Sequence, residues 1–473
     1  GVQTCALPIY VILDSSNTNS SLNIAEINLQ NSNSIVDVFK GNTGTKTINC
    51  NSISINSGQL NISSGQSIAT AKLNCSGDIS LTSLGTLCGS YQNDANSSIE
   101  ISGNLNLTKS FYYGIYQGAG NHALSIFGNL TLLKGGTRFS EFHGIYNGNG
   151  NIDVDIKGDF NHQGFSDLIL NDGITGVGNG NAKINIGGHF QQSSGDFRGI
   201  FNLTSYNAGQ IDFNCNNLDY SGGIFMLYYA CSNSIKNNKL NINGDLNVNF
   251  TNSTDIFRCN GLSNLNGTLS NAKLELNIAG NSKIDGNASA EFMTNTAYGN
   301  ETINSIGSFN INGGNIKFNY SPHSLTWIQK GNFEINGGNF QTSVETGNSD
   351  ITFSSNFYLK NGNICFKNKS GNTNIKILGN FEQSGGTCKL YDNLSQPLSH
   401  PIFLNVEGDF IQNGGIIDLC NNSFSNARTT LQISGNNYRA NAGEIKSTAS
   451  GAYYGNIEFR HIGILNYFNN NSH

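Results

Sequence analysis

Four aspartates in this 473-residue chain, Asp78, Asp159, Asp245 and Asp409, each follow a glycine at the same point of a recurring phrase. Carboxylates gathered on one face could hold Ca²⁺ or cleave a glycosidic bond by acid–base chemistry. Asn104, Asn129, Asn332 and Asn380 occupy the equivalent positions of other copies. An amide cannot relay a proton, so this interchange points to a turn role rather than a catalytic one. Asp159 has Asn129 before it and Gly188-His189 after it in the series, so it meets no carboxylate in its own column. His122, His143, His162 and His189 lie at unrelated offsets, and HExxH, GxSxG and GxxxxGK[ST] do not occur. Neither a catalytic residue nor a cofactor or metal site is expected.

Aromatic rings offer a binding chemistry instead. Tyr116, Tyr146, Phe201 and Phe225 each follow a Gly-Ile pair. If the isoleucine faces inward, strand alternation puts the ring outward, where a column of rings could stack on sugars. If the phrase has the opposite parity, the rings pack inside. Trp327 and the "FYYG" and "MLYY" clusters read as anchors for loops.

The elements that must position these residues are legible from the phrase itself. It runs apolar, any, apolar, any, Gly, Asn or Asp, apolar, with Gly or Gly-Gly a few residues later. "IKILGNFEQSGGT" and "LNVEGDFIQNGGI" are two copies. Marker glycines fall at Gly77, Gly103, Gly128, Gly158, Gly188, Gly244, Gly280, Gly307, Gly331, Gly379, Gly408 and Gly435, with weaker copies near Asn216 and Ser355. Most spacings are 24 to 30 residues; the longest, Gly244 to Gly280, is 36 and marks an insertion that is a second candidate contact site. Within a copy, Val154, Ile156 and Phe160 share one parity and Asp155, Lys157, Asp159 and Asn161 the other. That period of two is a strand with one dry side. Propeller blades need about 40 residues per repeat, so a parallel β-solenoid remains, with about 14 coils. "GIY", "GIT" and "GIF" at Gly114, Gly144, Gly173, Gly199 and Gly223 form a second strand, and "GAGN" and "GNGN" supply turns suited to positive φ.

"GNFEQSGGT" and "GDFIQNGGI" resemble the repeats of bacterial secreted parallel β-helix surface proteins, of the adhesin, autotransporter-passenger and type IX-secreted kinds. The resemblance spans roughly residues 53 to 436. It implies a right-handed parallel β-helix at the cell surface or outside the cell, in a nonenzymatic adhesive role, meeting carbohydrate or host surface components as a monomeric rod within a larger chain. Polysaccharide lyases and glycoside hydrolases share the architecture and stand as the alternative.

Composition narrows the field further. Only 12% of residues are charged and the formal net charge is -6, which argues against nucleic acid. No apolar run is long enough to span a bilayer. The ten cysteines contain no CxxC pair and read as small buried hydrophobes. Residues 1–9, "GVQTCALPI", resemble a translated sequencing adapter and are set aside as non-native. The expected organisation is then 10–52 as a cap or irregular first coils, 53–436 as the β-helix and 437–473 as a terminal coil, and no composition shift marks a boundary between domains.

Overall fold

Alternation of apolar and polar residues makes each phrase a strand, and stacking such strands in register buries the apolar parity against its own repeats. The computed structural model describes residues 10–466 apart from 15–17, 41–42, 66–69, 93, 135–139, 164–166, 173–179, 203–208, 231–235, 262–271, 287–298, 320–323, 344–346, 368–370, 393–399, 421–428, 447–456 and 462–463. The described strands form an all-β parallel solenoid of about 13 turns. Two compact units are distinguished, one of residues 1–239 and 261–271, the other of 240–260 and 272–473.

In the first unit a coil has three strands. His122–Ile126, Leu130–Leu133 and Glu141–Tyr146 make one coil, and Ile152–Ile156, Phe160–His162 and Asp167–Asp172 make the next. Each pairs in parallel with its counterpart one coil away. Three of the interior columns, one on each strand, show the packing. Leu73, Ile99, Leu124, Val154, Ile184 and Phe213 run up the first strands. Leu105, Leu130, Phe160, Phe190 and Leu218 run up the second. Leu60, Leu87, Tyr112, Phe142, Leu168, Phe197 and Phe225 run up the third. All of these side chains are buried. Among the described residues, coil pairing already includes Tyr10–Asp14 and Ser20–Leu29.

The second unit repeats the scheme with a ring ladder on its second strands: Phe309, Phe333, Phe357, Phe381, Phe410 and Tyr438 in register. The last four stack nearly parallel at 5.0 to 5.4 Å. Trp327 is buried in the adjoining column between Ile303 and Ile351, so it is a core residue on a strand and not a loop anchor. Tyr112 and Tyr228, from the two tyrosine clusters, are likewise buried. The solenoid continues past residue 436 through Asn437–Lys446, Ile457–His461 and Ile464–Asn466.

The Asp/Asn interchange has a direct explanation. Asp78 Oδ1 accepts the backbone N–H of Asn104 at 2.7 Å, Asn104 accepts from Asn129, Asn129 from Asp159 and Asp159 from His189, each at 2.8 Å. A carboxylate and an amide carbonyl serve this contact equally. The acceptor lies over the marker glycine of the next coil: a Cβ at Gly103, Gly128, Gly158 or Gly188 would come within 2.1 to 2.5 Å of that oxygen. Gly307, Gly331, Gly379 and Gly408 are excluded from substitution by backbone of the preceding coil at 2.2 to 2.7 Å, while Gly244 supplies that backbone to Gly280. The marker glycines are therefore required by close approach, whereas positive φ falls on the second glycine of the Gly-Gly pairs, as at Gly314 and Gly338. In "GAGN" and "GNGN" the same correction applies: Gly120 and Gly150 face carbonyls of the coil before, and the left-handed residues are Gln117 and Asn147 just upstream.

Candidate functional site

The third strands of the first unit carry the richest outward chemistry. The ladder skips the glycine of each Gly-Ile pair without changing register; Ile115 and Ile145 are buried, with Tyr116 and Tyr146 partly exposed beside them. The glycine is needed there because a Cβ at Gly144 would fall 1.8 Å from Ile152 Cδ1 and one at Gly199 2.2 Å from Ile211 Cδ1.

Register decides which aromatics align. Tyr91, Tyr116, Tyr146, Asp172, Phe201 and Tyr229 occupy one column in successive coils. Phe201 is partly exposed and lies 4.7 Å beneath the Arg198 guanidinium. Phe225 departs from the expected placement: it pairs with Phe197, not Phe201, and is fully buried. The "GIF" at Gly223 aligns with the turn glycine Gly195, so it opens its third strand, whereas the "GIF" at Gly199 lies at the far end of its own. Likewise, "GIT" at Gly173 lies outside the described residues, and its coil presents Leu170-Asn171-Asp172 where its neighbours have Gly-Ile-Tyr. Tyr91, which the motif did not mark, joins the column.

The column does not offer ring faces. Tyr91 and Tyr116 stack at 5.1 Å and 8°, Tyr116 and Tyr146 at 5.0 Å and 13°, so each ring covers its neighbour. Tyr113 packs edge-on against Tyr116 and Tyr146. What remains for a partner is a row of ring edges and phenolic oxygens.

Beside the tyrosines runs a column that the turn phrase could not disclose. Glu141, Asp167 and Asp196 are register partners in three successive coils, which sets their backbones about 4.8 Å apart. All three are partly buried. His143 Nε2 lies 3.4 Å from Glu141 Oε2, and Tyr113 donates its hydroxyl to the same oxygen at 3.4 Å. That contact to His143 holds the Glu141 carboxyl below the ordinary range. Burial, and then the charge of Asp196, pushes the Asp167 carboxyl up. Burial also raises Asp196, although Arg198 Nη2 bonds it at 2.6 Å. The buried Asp172 carboxylate lies 3.5 Å from His143 Nδ1. The assembly is thus a patch across three coils with three partly exposed carboxylates, Glu141, Asp167 and Asp196, bordered by tyrosine and arginine, with His143 and Asp172 buried behind them.

Other histidines serve the fold. His122 is buried between Ser97 Oγ at 2.6 Å and Tyr112 Oη at 2.7 Å, and burial pushes its imidazole down to about 3. Ser97 donates to the Gly114 carbonyl, so it accepts from His122 Nδ1–H while Nε2 accepts from Tyr112. His162 is buried beside Phe160, and His189 bridges Asp219 and Asn217 at 3.1 Å each. Amide ladders cover much of the remaining surface, as in Asn241, Asn277 and Asn304 at 2.8 Å steps. Among the described residues, no group of three His, Cys, Asp or Glu side chains is placed to hold a metal ion, and no helix is long and apolar enough to cross a membrane. The 36-residue spacing has its long insertion at 262–271, outside the described residues. No family model, curated protein or solved structure matches the chain.

Proposed function

We propose that this chain is an extracellular β-solenoid whose third-strand face, around Tyr116, Tyr146, Glu141, Asp167 and Asp196, holds saccharide chains without cleaving them. The observation that carries the reading is the alignment of acceptors and donors along consecutive coils. Carboxylates spaced by the coil repeat can each accept from hydroxyl groups of successive sugars, while tyrosine edges and Arg198 border them. Three partly exposed carboxylates beside a single arginine favour neutral or amino-bearing sugars over uronates. Individually weak contacts on repeated coils add through multivalency, which suits an adhesive role. Phe225 has no part in this surface.

A second reading, cleavage of the bound glycan, is favoured by one observation. Glu141, held toward its anion, sits one coil from Asp167, held toward its acid, and such a split is what acid and base roles require. Binding is preferred because Glu141 and Asp196 are already engaged by His143 and Arg198 on their own strands.

The test is a binding screen of the full chain against neutral, amino-bearing and uronate polysaccharides, with reducing ends followed in the same samples. Binding to the first two classes, weakened about tenfold or more in the Glu141→Gln, Asp167→Asn double variant and unaccompanied by new reducing ends, is the expected result. New reducing ends would establish the cleavage reading, and no binding to any class would remove both.

A further inference from the structure

Cys50 and Cys75 are direct register partners on adjacent first strands, Thr45–Ile55 and Thr70–Cys75. At this inward position Ile24 precedes them and Ile101 and Ile126 follow, so two consecutive coils replace isoleucine with a thiol. A parallel register pair has its Cα atoms about 4.8 Å apart, inside the range a disulfide spans. Both residues also line an open groove of about 460 Å³, bordered by Asn49, Asn74, Ser76 and Glu100. Their remaining exposures are small, 5% and 2%. Cys75 Sγ points toward the carbonyls of Gly77 and Asn51, at 3.5 and 3.7 Å.

We propose that Cys50 and Cys75 form a reactive dithiol that small-molecule disulfides of the glutathione class oxidise to an inter-coil disulfide. The Cys75 thiolate attacks one sulfur of the reagent, forming a mixed disulfide and releasing one thiolate. Cys50 gives up its proton to solvent and attacks the Cys75 sulfur, expelling the second thiolate. The protein loses two thiol hydrogens and the reagent is reduced to two thiols. A hydrogen bond from the Cys50 thiol lowers Cys75 and raises Cys50, which assigns Cys75 the first attack. By contrast, burial pushes up the thiols of Cys88, Cys215, Cys259 and Cys388, none of which faces a cysteine register partner.

The experiment equilibrates the native full chain with oxidised glutathione, blocks free thiols under denaturing conditions and maps the peptides. The expected product is one peptide pair joined through Cys50 and Cys75, reversed by dithiothreitol, with Cys88, Cys215 and Cys388 alkylated. In the Cys50→Ala variant, glutathione should instead remain attached at Cys75. Recovery of Cys50 and Cys75 as separately alkylated thiols in the oxidised wild-type chain would overturn the proposal, as would a wild-type chain that stops at a Cys75–glutathione adduct.

Discussion

Glu301 shows how one side chain can set a pH dependence. It is buried, neither carboxyl oxygen has a hydrogen-bond partner among the described residues, and burial pushes its carboxyl well above the usual range. Its register neighbours are Leu274 and Leu325. Because the folded group holds its proton more tightly than the unfolded one, its contribution is intact below the ordinary carboxyl range of about 4 and is lost as pH rises toward the folded value. Glu301→Leu completes an apolar column and should stabilise the protein by about 1–4 kcal/mol at neutral pH, with a smaller gain in acid. Denaturant midpoints of both chains at the two pH values measure this; an equal gain at both would show that Glu301 is not the titrating group. Glu301 shares the inward parity of Ile303, but only the stacked coils show that this strand end is sealed between Leu274 and Leu325. The turn aspartates were legible for the opposite reason, because their role repeats along the chain.

Elements here are held by ladders that run between coils. Asn96 Oδ1 accepts the Asn121 N–H, Asn121 that of Asn151 and Asn151 that of Asn181, each at 2.8 Å. Asn121→Ala removes one acceptor and should cost about 0.5–1.5 kcal/mol, while Asn121→Asp keeps the oxygen and should lie close to wild type. Thermal melts of the two variants decide the matter: equal losses would assign the position to side-chain packing instead of the ladder. The strands themselves were readable from alternation, as Val154, Ile156 and Phe160 illustrate, since parity needs only local sequence. Pairing partners were less so. Phe225 shares the Gly-Ile prefix of Tyr116, yet in its coil that prefix marks the entry to the third strand and not its end.

Over the whole molecule, each coil touches mainly its neighbours, so stability is a sum of nearest-neighbour terms and need not be lost all at once. The chain contains one tryptophan, Trp327, buried against Phe309, Phe333 and Phe353 in the second unit. Its fluorescence should report only that unit, and its denaturant midpoint should differ from that of far-ultraviolet circular dichroism, which averages both. Coincident transitions would instead mean that the two units unfold together. The sequence by itself determined the parallel solenoid, its coil period and the inward parity of the strands, because each is written within one repeat. Only the tertiary structure decided that Glu141, Asp167 and Asp196 share a column, that Cys50 meets Cys75 and that Phe225 turns inward. The physical reason is the loops: coil lengths vary, and register across a sheet is fixed by backbone pairing, so residues that meet in space stand at no constant separation in the chain.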